Sequence, residues 1–182
     1  KEIAVNELLQ GDFVVSETGG VAASTDGKKL AFAAMGGLYL YDLESGSLTT
    51  LLDVAQNAET ASISISMLSG AAFAQDNSQI VFYGSGSPIP AADGEEDVSI
   101  YGSIAVDGSG LKLTKLSGYE MEEMQSSVSR LFFPQAFTQA DGTLLWVDRA
   151  TGSANTLSFS DGGEGKDGVY GSEQGNYVAT AV

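Results

Sequence analysis

The chain has 182 residues, 8 Lys+Arg against 24 Asp+Glu for a formal charge of −16, 43% hydrophobic residues, 23 Gly, and neither Cys nor His. That length suits one domain with a real core, and a glycine share well above the usual ~7% points to many tight turns, so the chain reads as folded and all-β. Without His or Cys there is no Ser-His-Asp or Cys-His triad, thiolate zinc site, imidazole acid/base or disulfide within these residues, and the negative charge disfavours nucleic acid and anionic lipid surfaces as partners.

The chain opens at Lys1 without a charged-then-apolar leader, and its apolar runs fall far short of the roughly 20 residues of a membrane span. A soluble chain, processed or excised from a longer precursor, is expected, with no direct membrane insertion. The first element is IAVNELLQGDFVV, a hairpin between Ile3 and Val15 with Asn6 and Gly11 at its turn. Val21 to Ala33, VAASTDGKKLAFA, is a second kind of hairpin: a strand, an Asp26-Gly27 turn and a buried strand. Leu38 to Leu52, LYLYDLESGSLTTLL, repeats the first kind, with Asp42 opening the turn through its side chain and Gly46 supplying positive φ. Phe73 to Gly84, FAQDNSQIVFYG, carries Asp76-Asn77 where the earlier copy has Asp26-Gly27, and SIAVDGSGLKLTKL places Asp107 and Gly110 one residue closer than Asp42 and Gly46.

The third copy is irregular. LLWVDRATGSANTLS, Leu144 to Ser158, matches Leu38 to Leu52 through Asp148 and Gly152, yet Asp141-Gly142, which resembles the inner turn, precedes Asp148 by only seven residues. Either Arg130 to Gln135 forms the inner hairpin with Ser127 and its neighbours, or a strand is missing. Just before, YEMEEMQSSV spaces Met121, Met124 and Val128 at helical intervals, which predicts two turns of amphipathic helix. The chain finishes on Val169 to Ala181, VYGSEQGNYVATA, which shares S-x-x-G-x-x-apolar-Ala-x-Ala with Val21 to Ala33.

One unit is therefore a four-stranded antiparallel meander. Such a sheet cannot bury both faces alone, so copies stack, and four-stranded sheets arranged radially make a β-propeller. With repeats of about 40 to 50 residues, the chain makes roughly four blades, at approximately 16–60, 61–117, 118–160, and 161–182 plus 1–15. The expected fold is an all-β propeller, closed by pairing of the N- and C-terminal strands, or a propeller segment whose missing half-blades lie in other sequence.

The segments Ser24 to Phe32, STDGKKLAF, and Leu38 to Gly46, LYLYDLESG, resemble the WD40-like propeller repeats of TolB-type proteins, which also occur in the propellers of prolyl-oligopeptidase-type peptidases. The family pattern has Pro after the Ser, where this chain has Thr25, Gln75 and Glu173. The resemblance implies an extracytoplasmic (periplasmic, secreted or cell-surface) binding scaffold or a gate on a peptidase. The peptidase reading needs a hydrolase domain with a His, which must lie in other sequence.

Asp26, Asp76, Asp107 and Asp148 read as turn formers rather than as an acid/base set. The acidic loops Ala92 to Asp97 (with Asp93, Glu95, Glu96 and Asp97) and Asp161 to Asp167 (with Glu164) offer oxygens to Ca²⁺ or are simply solvated, and no cofactor is otherwise expected. Ser85 to Val98 is long for a connection within a blade, and its Pro88, Ile89 and Pro90 form either a docking knuckle or a mobile tip. Met121, Met124, Phe132, Phe133 and Trp146 are candidate interface residues, with inter-blade packing the alternative for Trp146. Gly102, Gly108 and Gly110 lack the following helix that a phosphate loop requires. The expected function is non-catalytic binding of a protein or peptide, as a homo-oligomer or a subunit of a larger assembly. The alternatives are the propeller portion of a larger hydrolase, a carboxylate-dependent glycan-acting propeller, and a Ca²⁺-stabilised surface module.

Overall fold

The computed structural model describes residues 21–34, 36–56, 63–89, 97–116, 136–138, 144–147, 151–157, 169–171 and 178–180. They contain strands and turns and, among the described residues, no helix. β1 (Val21–Ala23), β2 (Lys29–Ala34), β3 (Gly37–Asp42) and β4 (Leu48–Asp53) form one antiparallel meander in sequence order. β5 (Ile63–Phe73), β6 (Gln79–Pro88), β7 (Val98–Ala105) and β8 (Lys112–Leu116) form a second. A third sheet holds β9 (Ala136–Thr138), β10 (Leu144–Val147) and β11 (Ala154–Leu157), and β12 (Val169–Gly171) pairs with β13 (Val178–Thr180). The chain is all-β, and its two complete sheets are the four-stranded blades of a propeller-type fold.

The turns form for the local reason that the repeats suggested. Asp26 Oδ1 accepts from the Lys28 amide at 3.0 Å, Asp76 Oδ1 from the Ser78 amide at 2.9 Å, and Asp107 Oδ1 from the Ser109 amide at 2.9 Å. Each is an Asx turn, closed by the side chain two residues before the amide it binds. Gly27 and Asn77 occupy the same place in successive copies and both have positive φ, 68° and 58°. Asn is one of the few side chains that tolerates this region, which is why it can replace glycine there. Asp42 instead accepts from the Glu44 and Ser45 amides on Oδ1 and from Lys29 Nζ on Oδ2 at 2.7 Å. Backbone bonds from Leu43 to Lys28 and from Val106 to Ser78 tie the two turn types together, so both lie at one end of each sheet.

The first two sheets pack through one shared core. Ala31, Ala33, Leu38 and Leu40 from the first sheet join Ile80, Phe82, Ile100 and Ile104 from the second, and β5 lies against β2. Alternation along β6 and β7 puts Ile80, Phe82, Ile100 and Ile104 on this face and Val81, Tyr83, Tyr101 and Ser103 on the other. Gly102 pairs directly with Phe82, and a Cβ on it would stand 2.2 Å from Phe82 Cζ, so the ring occupies the space that glycine leaves.

At the turn end the two blades are linked directly. Asn77 Oδ1 accepts from the Thr25 amide at 2.9 Å, and Asn77 Nδ2 donates to Thr25 Oγ1 at 2.6 Å. A proline at position 25 could not donate this bond. On its other face the second blade meets the third: Tyr101 donates through its hydroxyl to the Gly152 carbonyl at 3.1 Å, and Val81 lies against Gly152.

One sequence expectation changes. The segment from Ser85 to Val98 is not all loop, since β6 continues to Pro88, which pairs with Ile63, and β7 begins at Val98. Proline donates nothing to a ladder, and here it sits at the end of its strand, where that loss costs least. In the third sheet β10 pairs with β9 on one side and β11 on the other, while Asp141-Gly142 and Asp148 lie outside the described residues. The proposed hairpin at Arg130 to Gln135, the helix around Met121 and the N-terminal hairpin lie outside the described residues.

Candidate functional site

The end of the second blade opposite the turns gathers the polar and exposed apolar groups. It is built by β5, whose eleven residues include two register shifts, one between Ile65 and Met67 and one between Leu68 and Gly70. Strict alternation would put Ile65 and Leu68 on opposite faces. The extra residue, Ser66, returns both to the core, where they are 3% exposed. The bulge leaves Ser66 and Met67 together opposite Ser85, on the face away from the first sheet. Gly84 permits the close approach, since a Cβ there would lie 2.1 Å from the Met67 carbonyl oxygen.

Asp97 stands at the head of β7 on the same face. Its Oδ1 accepts from Ser87 Oγ at 2.5 Å and its Oδ2 from Ser66 Oγ at 3.0 Å, with Ser85 Oγ 3.3 Å from Ser66 Oγ. Three strands therefore contribute to one group that fixes the carboxylate plane. The Ser87 hydroxyl first and the Ser66 hydroxyl second hold the Asp97 carboxyl below the usual carboxylate range, against a smaller opposing effect of burial. A carboxylate stabilised in its charged form is a poor proton acceptor, so the arrangement suits orientation and charge recognition better than general-base work. Met67, 41% exposed, adjoins Ser66, and Ile89, 39% exposed, follows Ser87 by two residues. They are two of the three large hydrophobics exposed among the described residues, the third being Val21.

The residues singled out from sequence distribute unevenly over this site. Ile89 belongs to it, and Pro88 is half-buried at the strand end beside it. Asp97 belongs to it as a carboxylate held by two serines, and among the described residues no group of three His, Cys, Asp or Glu side chains is placed to hold a metal. Trp146 lies in β10, its backbone paired with Asn155 and Ala136. Pro90, Asp93, Glu95, Glu96, Met121, Met124, Phe132, Phe133, Asp161, Glu164 and Asp167 lie outside the described residues. Ser66, Ser85, Ser87 and Met67 were not anticipated. The signal available was the run SISISMLSG against GSGSP, serines at alternate positions on two strands, but their common face depends on the bulge.

The turn carboxylates offer less to a ligand. The Ser24 hydroxyl and the Lys28 amide hold the Asp26 carboxyl low, and the Ser109 hydroxyl and amide do the same at Asp107. These groups spend one oxygen each on closing a turn.

No family model matches the chain, and no curated protein matches it. Among solved structures it is similar to an acylaminoacyl peptidase in complex with Z-Gly-Gly-Phe-chloromethyl ketone, at 13% identity and a TM-score of 0.40, covering 82% of this chain and 25% of that one. It is also similar to the Cps50 (Swd1) beta-propeller domain of Myceliophteria thermophila, at 13% identity and a TM-score of 0.32, covering 88% of this chain and 47% of that one. The chain thus spans less than half the length of either.

Proposed function

We propose that the chain is a non-catalytic, extracytoplasmic propeller scaffold of the TolB-type repeat class, binding a protein or peptide partner or serving as a subunit of a larger assembly. The observation that carries the reading is the far rim of the second blade, where two serine hydroxyls orient the Asp97 carboxylate and the exposed Met67 and Ile89 follow those serines by one and two residues. Exposed apolar side chains beside a fixed polar group are the elements of a recognition surface. The reading draws further support from the repeated aspartates, whose oxygens close turns rather than converge. The extracytoplasmic placement and the repeat class follow from the resemblance of Ser24 to Phe32 and Leu38 to Gly46. No cofactor is assigned.

A photo-crosslinking residue placed at Met67 or Ile89, in the native host, tests the reading. The expected result is one adduct of defined mass from both positions and none from a control at Thr49 on the exposed part of β4. Absence of any adduct from either rim position, with the protein present and folded, would refute it. Cell fractionation tests the compartment, and recovery of the mature chain in the cytoplasm would contradict that part.

A further inference from the structure

We infer that the far rim of the second blade receives a cationic side chain, Arg or Lys, from a protein or peptide partner, its aliphatic stem lying along Met67 and Ile89 and its charge on Asp97. This inference rests on the binding reading above and adds the chemistry of the partner.

Three observations converge on it. First, Asp97 is exposed, both its oxygens are oriented by hydroxyl donors, and it takes part in no ion pair among the described residues, where Lys29–Asp42 is the one salt bridge. A carboxylate has roughly four acceptor positions, and two hydroxyls leave room for a bidentate guanidinium or an ammonium. Second, no internal cation is supplied nearby in sequence: from Leu30 to Leu111 there are ten Asp or Glu residues and no Lys or Arg, four of the ten falling between Asp93 and Asp97. On β8, Lys115 pairs with Ile100, which lies on the opposite face of the sheet from Ser99, and Lys112 pairs with Ser103 toward the turn end. Third, each serine that binds Asp97 has an exposed apolar side chain close by in sequence, Met67 next to Ser66 and Ile89 two residues after Ser87, which favours a cation carried on a hydrocarbon stem over a small hydrated ion. A partner that brought a carboxylate or phosphate here would meet like charge with no cation to compensate it.

The experiment is an amide-shift titration by NMR with the peptide Ac-Ala-Leu-Arg-Leu-Ala, and with the same peptide carrying Gln in place of Arg. Saturable shifts are expected at residues 65–67, 85–89 and 97–99, with the Gln peptide binding about three- to tenfold more weakly, the range of one exposed charge contact. Asp97→Asn and Met67→Gln should each weaken the Arg peptide by a similar factor, and Asp107→Asn, at the other end of the sheet, should leave it unchanged. Met67 is exposed, so its substitution reports on the surface even if Asp97→Asn disturbs the Ser66 and Ser87 bonds. Equal affinity for the two peptides at these residues would overturn the cationic inference while leaving the binding reading intact. Shifts spread over the turn-end carboxylates, or equal losses in Asp97→Asn and Asp107→Asn, would show diffuse charge attraction and overturn it too, as would no shifts at all.

Discussion

Gly102→Ala probes the packing between the first two blades with a single methyl. The added Cβ would stand 2.2, 2.4 and 2.8 Å from three atoms of the Phe82 ring, and Phe82 is fully buried among Ile80, Ile100 and Ile104. The ring cannot swing into solvent, so it must leave its rotamer or push β6 away from β7. Three contacts this short put the cost in the upper part of the overpacking range, about 2–3 kcal/mol, against which alanine in a strand gains about 0.5–1 kcal/mol over glycine, for a net loss of about 1–2.5 kcal/mol. For a chain of this size that is a fall in Tm of about 2–10 °C. The cause is separated from general strand disruption by a double-mutant cycle in urea. Phe82→Ala alone should cost about 3–5 kcal/mol, and in that background Gly102→Ala should be neutral or stabilising, because the clash is gone. An additive cycle, or a Gly102→Ala protein as stable as the parent, would refute the reasoning that the ring fills the glycine's space.

Other outcomes follow from the same contacts. Asn77→Gly keeps the positive φ of its turn but removes both bonds to Thr25, so it should cost about 0.5–1.5 kcal/mol in a urea melt, and Asn77→Ala, which adds backbone strain, should cost more. Tyr101→Phe leaves the Gly152 carbonyl without that donor and should cost about 1–3 kcal/mol; a silent substitution would show that the third sheet does not depend on this bond. Asp26, Asp42, Asp97 and Asp107 all have carboxyls held below the usual range, so their contribution to stability is full above the unfolded carboxylate range near 3.8 and is lost as pH falls through the lower folded values. Thermal melts should therefore be flat from neutrality down to about pH 5 and decline in more acidic buffer, and a decline beginning near neutrality would contradict this assignment. Chelator should leave the melting temperature unchanged, and a fall of several degrees would revive the Ca²⁺ reading of the acidic loops.

What the sequence disclosed was the chemistry that acts within a few residues. Asp26, Asp76 and Asp107 close turns on amides two positions away, and the hairpins read at Val21 to Ala33 and Leu38 to Leu52 are observed as β1–β2, ending at Ala34, and β3–β4, spanning Gly37 to Asp53. What it hid depends on register. The bulge at Ser66 and the continuation of β6 to Pro88 are set by which residue faces which across the ladder, and periodicity does not report that when an extra residue resets it. The sequence around Gly102 shows only that no phosphate loop is formed there, and its role opposite Phe82 emerges only from pairing. Asp97 was legible as part of an acidic loop, solvated or offering oxygens to Ca²⁺, but the hydroxyls that fix it come from residues 31 and 10 positions away.

The first and second sheets are adjacent blades joined face to face and latched at Thr25 and Asn77. The chain contains no cysteine, so a Thr25→Cys/Asn77→Cys pair is the only thiol pair present. Mild oxidation at low protein concentration should give a fully intramolecular disulfide and a raised melting temperature that reverts on reduction. Reduced thiols after oxidation, or crosslinking only between chains, would contradict the placement of the two blades.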